Sequence, residues 1–226
     1  MKIVAISDLH GYLPEDIEPC ELVLICGDIS PLKIQGFNTL MREWIIEIFK
    51  PWCESLPCDK VIFIAGNHDF YLNSNHNFIK EQFSNDDKVT YLCNESYIYT
   101  SKEGKNYNIF GSPYCKVFGN WAFMRNDEIL TELFSEIPEN LDILITHDTP
   151  YGYSDICLEA PWTNYEHIGN IPLRDAILEK SPAVSLSGHL HSASHEWIRI
   201  GNTKHINCSI KNEQYEPVYD YIVFDL

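Results

Sequence analysis

Five short apolar runs constrain the fold of this chain more than any other feature. Residues 3–6, 22–26, 61–65, 143–145 and 184–186 are rich in Ile and Val, and polar residues or Gly flank them. Each is too short for a helix, and runs of this kind fit strands buried on both faces. Helical patterns lie between them. Over 37–49, the apolar residues Phe37, Leu40, Met41, Trp44, Ile45 and Ile48 fall on one helical face, which is expected to be core. Shorter helices are expected over 77–83, 128–134 and 173–178, with Pro172 suited to the first turn of the last.

The remaining segments read as strands joined by turns: 89–92, 97–100, 107–110, 196–200, 205–208 and 219–224. Gly201-Asn202 is a hairpin signal and Gly104 marks another turn. Alternating β and α units followed by strand pairs imply a mixed α/β fold with two sheets and outer helices. No repeat, low-complexity stretch or linker interrupts it, so one domain over 1–226 is expected. Residues 148–170 are polar and punctuated by Pro and Gly, as expected of a long functional or lid-like loop.

Composition narrows the function. The 226 residues are 45% hydrophobic and 22% charged, enough to bury a core and unlike a disordered or fibrous chain. Thirty-three acidic residues against sixteen basic ones give a formal net charge of −17. Such a surface opposes binding to nucleic acid and to anionic membranes, and suits bound cations. No apolar run approaches the roughly 18 residues of a membrane span, and the run after Lys2 is too short for a signal peptide. The eight cysteines are scattered without a C-x-x-C pair, which argues for reduced thiols and a cytoplasmic setting. Cys26 and Cys208 lie in or beside apolar runs and are expected to pack as small hydrophobes.

The chemistry lies immediately after each run. The five segments there are Ser7-Asp8-Leu9-His10-Gly11, Gly27-Asp28-Ile29, Gly66-Asn67-His68-Asp69, Thr146-His147-Asp148 and Ser187-Gly188-His189-Leu190-His191. A lone Asp or Asn after a strand is ordinarily a turn former or cap, and a lone His is ordinarily a hydrogen-bonded or surface residue. Here five of nine histidines fall at strand ends, where ligands bind in open α/β sheets. His76, His167, His195 and His205 are scattered and keep the ordinary reading. Asp, Asn and His donors without a nearby Cys pair suit Mn²⁺, Fe²⁺, Ni²⁺, Co²⁺ or Zn²⁺ rather than a structural zinc site. The i, i+2 spacing of Asp8 with His10 and of His189 with His191 puts each pair on one side if the segment is extended. Two cations roughly 3.5–4 Å apart need a bridging anion, which a carboxylate such as Asp28 can supply.

These blocks, in this order over residues 7 to 191, resemble the calcineurin-like metallophosphoesterase superfamily. The resemblance implies a four-layer α/β/β/α sandwich of two mixed sheets flanked by helices, with a dinuclear site at the strand ends. It puts Asp8, His10 and His191 on one divalent metal ion and Asn67, His147 and His189 on a second, with Asp28 between them and Mn²⁺ favoured. His68 is implied as the catalytic residue that contacts the reacting phosphate or the leaving oxygen, and Asp69 as a helix cap or an orienting neighbour. A metal-bridging hydroxide attacking phosphorus in line would make the chain a phosphoesterase of small substrates.

The stretch from Gly27 to Lys33 lacks the Asp-Arg-Gly of the protein Ser/Thr phosphatases. Gly111-Ser112-Pro113-Tyr114, Trp121-Ala122-Phe123 and His167-Ile168-Gly169 instead resemble the metallophosphoesterase-domain-containing subgroup, which implies small phosphodiesters or cyclic nucleotides as substrates. Ser192-Ala193-Ser194-His195 departs from the Glu-Gly-Tyr-Gly usual there. A phosphomonoesterase on the same site and a non-catalytic binding protein on the same fold are the alternatives. A nuclease is opposed by the charge. Tyr12, Phe70, Tyr71, Tyr114 and Trp162 lie near the motifs and are candidates for stacking on a nucleobase, though residues of this kind more often serve as core or loop packing.

Overall fold

All five apolar runs form strands in the computed structural model, which describes residues 1–84, 86–158, 164 and 166–226. In chain order the elements begin β1 (Lys2–Ile6), β2 (Leu22–Cys26), α1 (Asn38–Trp44), a π-helical turn (Ile45–Phe49), α2 (Lys50–Ser55) and β3 (Lys60–Ile64). Then come α3 (Phe70–Ser74), α4 (His76–Phe83), β4 (Val89–Tyr91), β5 (Glu95–Thr100), β6 (Asn106–Ser112), β7 (Cys115–Lys116), β8 (Met124–Arg125) and α5 (Asp127–Ser135). The chain ends with β9 (Ile143–Thr146), α6 (Ile171–Lys180), β10 (Val184–Ser187), β11 (Ile198–Ile200), β12 (Thr203–Asn207) and β13 (Ile222–Asp225).

Two mixed sheets result. The first runs β13-β1-β2-β3-β4, with β13 antiparallel at one edge. The second runs β11-β12-β10-β9-β6-β5, with antiparallel strands at both edges. The period-2 alternation of side chains divides the apolar runs between two layers. Ile3, Ala5, Leu22, Leu24, Ile62 and Ile64 of the first sheet meet Ile109, Ile143, Ile145, Val184 and Leu186 of the second. Cys26 and Cys208 pack between the sheets, as expected of small hydrophobes. On the outer face of the first sheet, Val4, Ile25 and Phe63 bury Met41, Trp44, Phe49, Ile79 and Phe83. Phe110 and Leu144 on the outer face of the second sheet bury Leu130, Phe134, Leu173 and Ile177. The order is helix, sheet, sheet, helix.

The first helical region differs from its expectation. It continues to Ser55, and Pro51 lies inside it. Proline offers no N–H and its ring crowds the carbonyl one turn back, and the widened π-helical turn at 45–49 accommodates that defect. The buried stripe shifts accordingly to Met41, Trp44, Ile45, Phe49 and Cys53, while Phe37, Leu40 and Ile48 are 61%, 46% and 50% exposed. Only part of the expected core face is therefore core.

Helix α6 matters to the site because of how it begins. The Asn170 Oδ1 accepts the N–H of Leu173 at 3.0 Å, and its Nδ2 donates to the Asp148 carboxylate at 2.8 Å. One side chain thus caps the helix and ties it to the end of β9. The 148–170 segment closes on itself through the Pro150–Asn170 bridge. Its buried Asp155 accepts the N–H groups of Gly152 and Gly169 at 2.8 and 3.0 Å and pairs with His167 at 2.6 Å.

Candidate metal centre

Each strand that carries a candidate donor ends at the same side of its sheet. Asp8 and His10 follow β1, Asp28 follows β2, Asn67 and His68 follow β3, His147 follows β9, and His189 and His191 follow β10. Three strands come from one sheet and two from the other, so the donors meet where the two sheets' strand ends adjoin. Close approach requires glycine in these turns, as those after β3 and β10 show. A Cβ at Gly66 would collide with the Asp28 carboxylate, and one at Gly188 would collide with Ser7 and Asp8.

The chain is not extended at the donors. Asp8, His10, Asp28 and His189 have φ of +59°, +43°, +53° and +71°, in the left-handed region. The i, i+2 argument from extended backbone therefore fails here. Asp8 and His10 come together through captured backbone groups instead: Asp8 N–H donates to the Gly27 carbonyl at 3.1 Å and His10 N–H to that of Asp28 at 2.9 Å. His189 and His191 diverge. The donor atoms of His191, Asp8 and His10 lie within 4.8 Å of one another, whereas the His189 ring packs against His147 at 5.1 Å between centroids. The His189 N–H holds both Asp8 oxygens at 3.2 and 3.0 Å.

The hydrogen bonds on the far side of the rings decide which atoms face inward. His147 Nδ1 lies 2.8 Å from the Cys26 carbonyl and His191 Nδ1 lies 2.9 Å from that of Asn212. A carbonyl only accepts, so both Nδ1 atoms carry hydrogen and the Nε2 atoms face the centre. There His147 Nε2 meets Asp28 Oδ2 at 3.4 Å and Asn67 Oδ1 at 3.0 Å. His191 Nε2 meets Asp8 Oδ1 at 3.3 Å and His10 Nε2 at 3.3 Å, and His10 Nε2 lies 3.6 Å from Asp28 Oδ2. Neutral imidazoles would bring lone pair against lone pair. Cations relieve that clash, and the donor set of carboxylate, amide oxygen and imidazole fits divalent ions. A second set of close donors, Asp8, Asp28 and His147, also lies within 4.8 Å.

The electrostatics agree with this. Burial disfavours charge on Asp8 and Asp28, yet the surrounding histidines, chiefly His191 at Asp8 and His147 at Asp28, together hold both carboxyls below their usual range. Burial likewise opposes charge on His147, but Asp28 and then Asp8 push it up to about 10. His191 is raised too: burial opposes its charge, but the hydrogen bond and negative charge of Asp8, the Asn212 carbonyl and Asp28 together outweigh it. Burial drives His10 down to about 3 and His189 down to about 4. The upward shifts of His147 and His191 mark where the site favours positive charge.

The supporting residues differ in part from the expected ones. Asp69 does not cap α3 with its side chain. It turns inward, accepting from Ser30 N–H at 2.9 Å, Ser30 Oγ at 2.5 Å, Gly66 N–H at 2.7 Å and Ile29 N–H at 3.3 Å. The helix cap expected of Asp69 is not made; its side chain braces the turn after β2 instead. His68 donates its backbone N–H to Asp28 Oδ1 at 2.8 Å, and its Nδ1 lies 2.8 Å from Gln35 Oε1.

A cavity of about 430 Å³ opens over the donors, with Asp28, Asn67, His68, His189 and His191 in its wall. Asp8, His10 and His147 are buried. The rest of the wall includes Phe118, Trp121, Tyr215, Lys116 and Glu213, none of them expected as site residues. Trp121 was legible only as part of a subgroup motif. The expected stacking residues go elsewhere: Tyr71 is core, Phe70 and Tyr114 pack against that core, and Tyr12 lies under the Lys211 ammonium at 4.8 Å. Trp162 lies outside the described residues. The scattered histidines keep ordinary roles. His205 is buried between Ser185 and Ser187, His195 stacks on Tyr219 at 4.0 Å, and His167 pairs with Asp155.

Comparison with known proteins agrees with this geometry. Human metallophosphoesterase domain-containing protein 1 is 29% identical over 245 residues, covering 100% of this chain and 71% of the relative. A UPF0046 protein of Caenorhabditis elegans is 26% identical over 250 residues, covering 100% of this chain and 81% of the relative. The fold is shared with a solved structure from Thermus thermophilus at TM-score 0.59 and 12% identity, covering 99% of this chain and 98% of that one. It is also shared with the phosphopantetheinyl hydrolase of Mycobacterium tuberculosis at TM-score 0.55 and 14% identity, covering 95% and 90%. The family model for calcineurin-like phosphoesterases matches residues 1–193, over which all the strand-end donors fall, and the chain belongs to that family.

Proposed function

We propose that the chain is a dinuclear metal-dependent phosphoesterase with a preference for phosphodiesters, carried by one domain over 1–226. The observation that carries this reading is the convergence of two imidazoles on Asp28, where His10 and His147 both direct Nε2 at its Oδ2. Asp8, His10 and His191 would hold one divalent ion, Asn67, His147 and His189 the other, and Asp28 would be shared. Mn²⁺ is the favoured ion, since three of the seven donors are oxygens. Two cations, when bound by these residues, would supply charge against the phosphate oxygens and lower the pKa of a nucleophilic water. The setting we favour is cytoplasmic; among the described residues no helix is long and apolar enough to cross a membrane.

The chain's own residues do the rest. The His191 and His147 rings are fixed by carbonyls behind them, and the Asp28 carboxylate is fixed by the His68 N–H. His68 stands in the cavity wall with Nδ1 held by Gln35, which leaves Nε2 to contact a phosphate oxygen or the leaving oxygen. Diester preference follows from charge. The sole lysine among the described wall residues, Lys116, directs its ammonium to the Gly169 carbonyl at 3.1 Å. A monoester dianion has no further cation there to pair with its second charge, and a diester has none to pair.

The test is hydrolysis of bis-p-nitrophenyl phosphate against p-nitrophenyl phosphate with added Mn²⁺. Faster diester turnover supports the proposal. Faster monoester turnover moves the reading to a phosphomonoesterase on the same site, and no turnover of either by metal-loaded protein favours a binding protein.

A further inference from the structure

One wall of the cavity is aromatic in a way the metal chemistry does not require. Phe118 and Trp121 come from the single short connection between β7 and β8, and that connection is pinned to the site. Ala122 N–H donates to the Asn67 carbonyl at 3.0 Å, and Cys115 N–H to that of Phe123 at 3.2 Å. Trp121 consequently packs on His68 at 4.4 Å between ring centroids, and Phe118 on His189 at 5.2 Å. The third ring, Tyr215, lies 4.9 Å from His10, 5.1 Å from His191 and 6.1 Å from His68.

Tyr215 is held there by construction. Its φ is +62°, and Asn212 organises the turn by accepting the N–H groups of Gln214 and Glu216 at 3.0 and 2.9 Å. Those bonds go to the Asn212 side-chain Oδ1, and the backbone carbonyl of the same residue fixes His191. A left-handed tyrosine on the turn that orients a donor is strain kept in place by its surroundings.

All three rings keep solvent-facing area: Trp121 is 36% exposed, Tyr215 37% and Phe118 54%. Large rings left open beside a polar centre offer stacking area to a bound group. The charges nearby exclude a second anion there. Glu213 in the wall is anchored by Ser192 N–H at 3.1 Å and its Oγ at 2.9 Å, and the Lys116 ammonium already has a partner.

We infer that Phe118, Trp121 and Tyr215 form the subsite for the organic group of the phosphoester, and that it accepts an uncharged planar aromatic ring. This rests on the phosphoesterase reading for its reaction but not for its binding. A simple aryl group and a nucleobase share this chemistry, and the experiment separates them.

Three diesters with one leaving group test it: the methyl, phenyl and thymidine-5′ esters of p-nitrophenyl phosphate, with Mn²⁺-loaded protein. We expect kcat/KM for an aromatic ester about tenfold or more above that for the methyl ester, the range of one stacked ring. Preference for phenyl alone assigns an aryl group, and preference extending to thymidine assigns a nucleobase. Trp121→Ala or Tyr215→Ala should bring the aromatic-to-methyl ratio towards one, while Trp121→Phe keeps most of it. Equal rates for all three esters, or a ratio untouched by Trp121→Ala in protein that melts like the parent, would overturn the subsite.

No turnover of any ester would defeat the phosphoesterase reading instead. Binding then decides the subsite: phenyl phosphate or thymidine 5′-monophosphate should bind metal-loaded protein about tenfold more tightly than methyl phosphate by calorimetry. Equal affinities would overturn it.

Discussion

The Asp69 carboxylate accepts the backbone N–H of Ser30 at 2.9 Å, joining the turn after β3 to the turn after β2. With Ser30 Oγ, Gly66 and Ile29 also donating, both oxygens are fully used. An amide cannot accept on its nitrogen, so Asp69→Asn sets a donor against donors. Its expected cost is about 1–3 kcal/mol of stability, read by urea denaturation. Metal affinity should fall about 10–100-fold as Asp28 and Asn67 lose their common brace, read by metal titration.

Asp28→Ala removes the oxygen that both His10 and His147 face. The variant should hold at most one ion per chain by elemental analysis of the folded protein. Turnover should drop at least about a hundredfold, since a bound cation contributes several kcal/mol to such a transition state. Two ions retained would refute the bridging role.

His68→Asn should behave differently. Its side chain is assigned no metal, so two ions stay bound while kcat falls about 10²–10⁴-fold. Gln35→Ala, which frees His68 Nδ1, should lower kcat less. Loss of metal from His68→Asn would place that ring among the ligands instead.

His205 gives a pH prediction outside the centre. Burial drives it from 6.5 down to about 3. Below about 6.5 the unfolded chain takes up a proton here that the folded chain does not. Its contribution to stability is therefore complete above that pH and falls by about 1.4 kcal/mol per unit as acid is added. His205→Gln should make the slope of stability against pH shallower by that amount between about pH 6 and 4.5, measured by chemical denaturation at each pH. Parallel slopes would show that His205 stays protonated in the fold.

Much of the centre was legible because each donor lies within a few residues of an apolar run, and the ends of parallel strands converge by topology alone. His10 and His191 are 181 positions apart and still meet at 3.3 Å. What was illegible depended on contacts between distant turns. Asp69 carries the same acceptor atoms whether it caps α3 or reaches Ser30, and nothing local says which. Phe118 and Trp121 sit between two strands of two residues each, too short for any periodicity to show. Tyr215 owes its place to a left-handed turn that Asn212 organises. Leu40 and Ile48 fitted the helical period, but the buried stripe runs through Met41, Trp44 and Ile45, past Leu40, and the π-helical turn then carries it to Phe49 and Cys53.

The donors come from both sheets, and this has a mechanical consequence. β1, β2 and β3 supply Asp8, His10, Asp28 and Asn67, while β9 and β10 supply His147, His189 and His191. Elsewhere the interface between the layers is mainly apolar, with few directional links such as Tyr107 Oη to the Leu226 carbonyl. A cation at the centre would act as a rivet through both layers, adding strong directional bonds to a mainly apolar contact. Parting the sheets would then release the ions, and each ion present at a hundred times its dissociation constant would resist that parting by about 2.7 kcal/mol. The same few atoms that could hold a phosphate would thus set the temperature at which the two halves of the sandwich come apart.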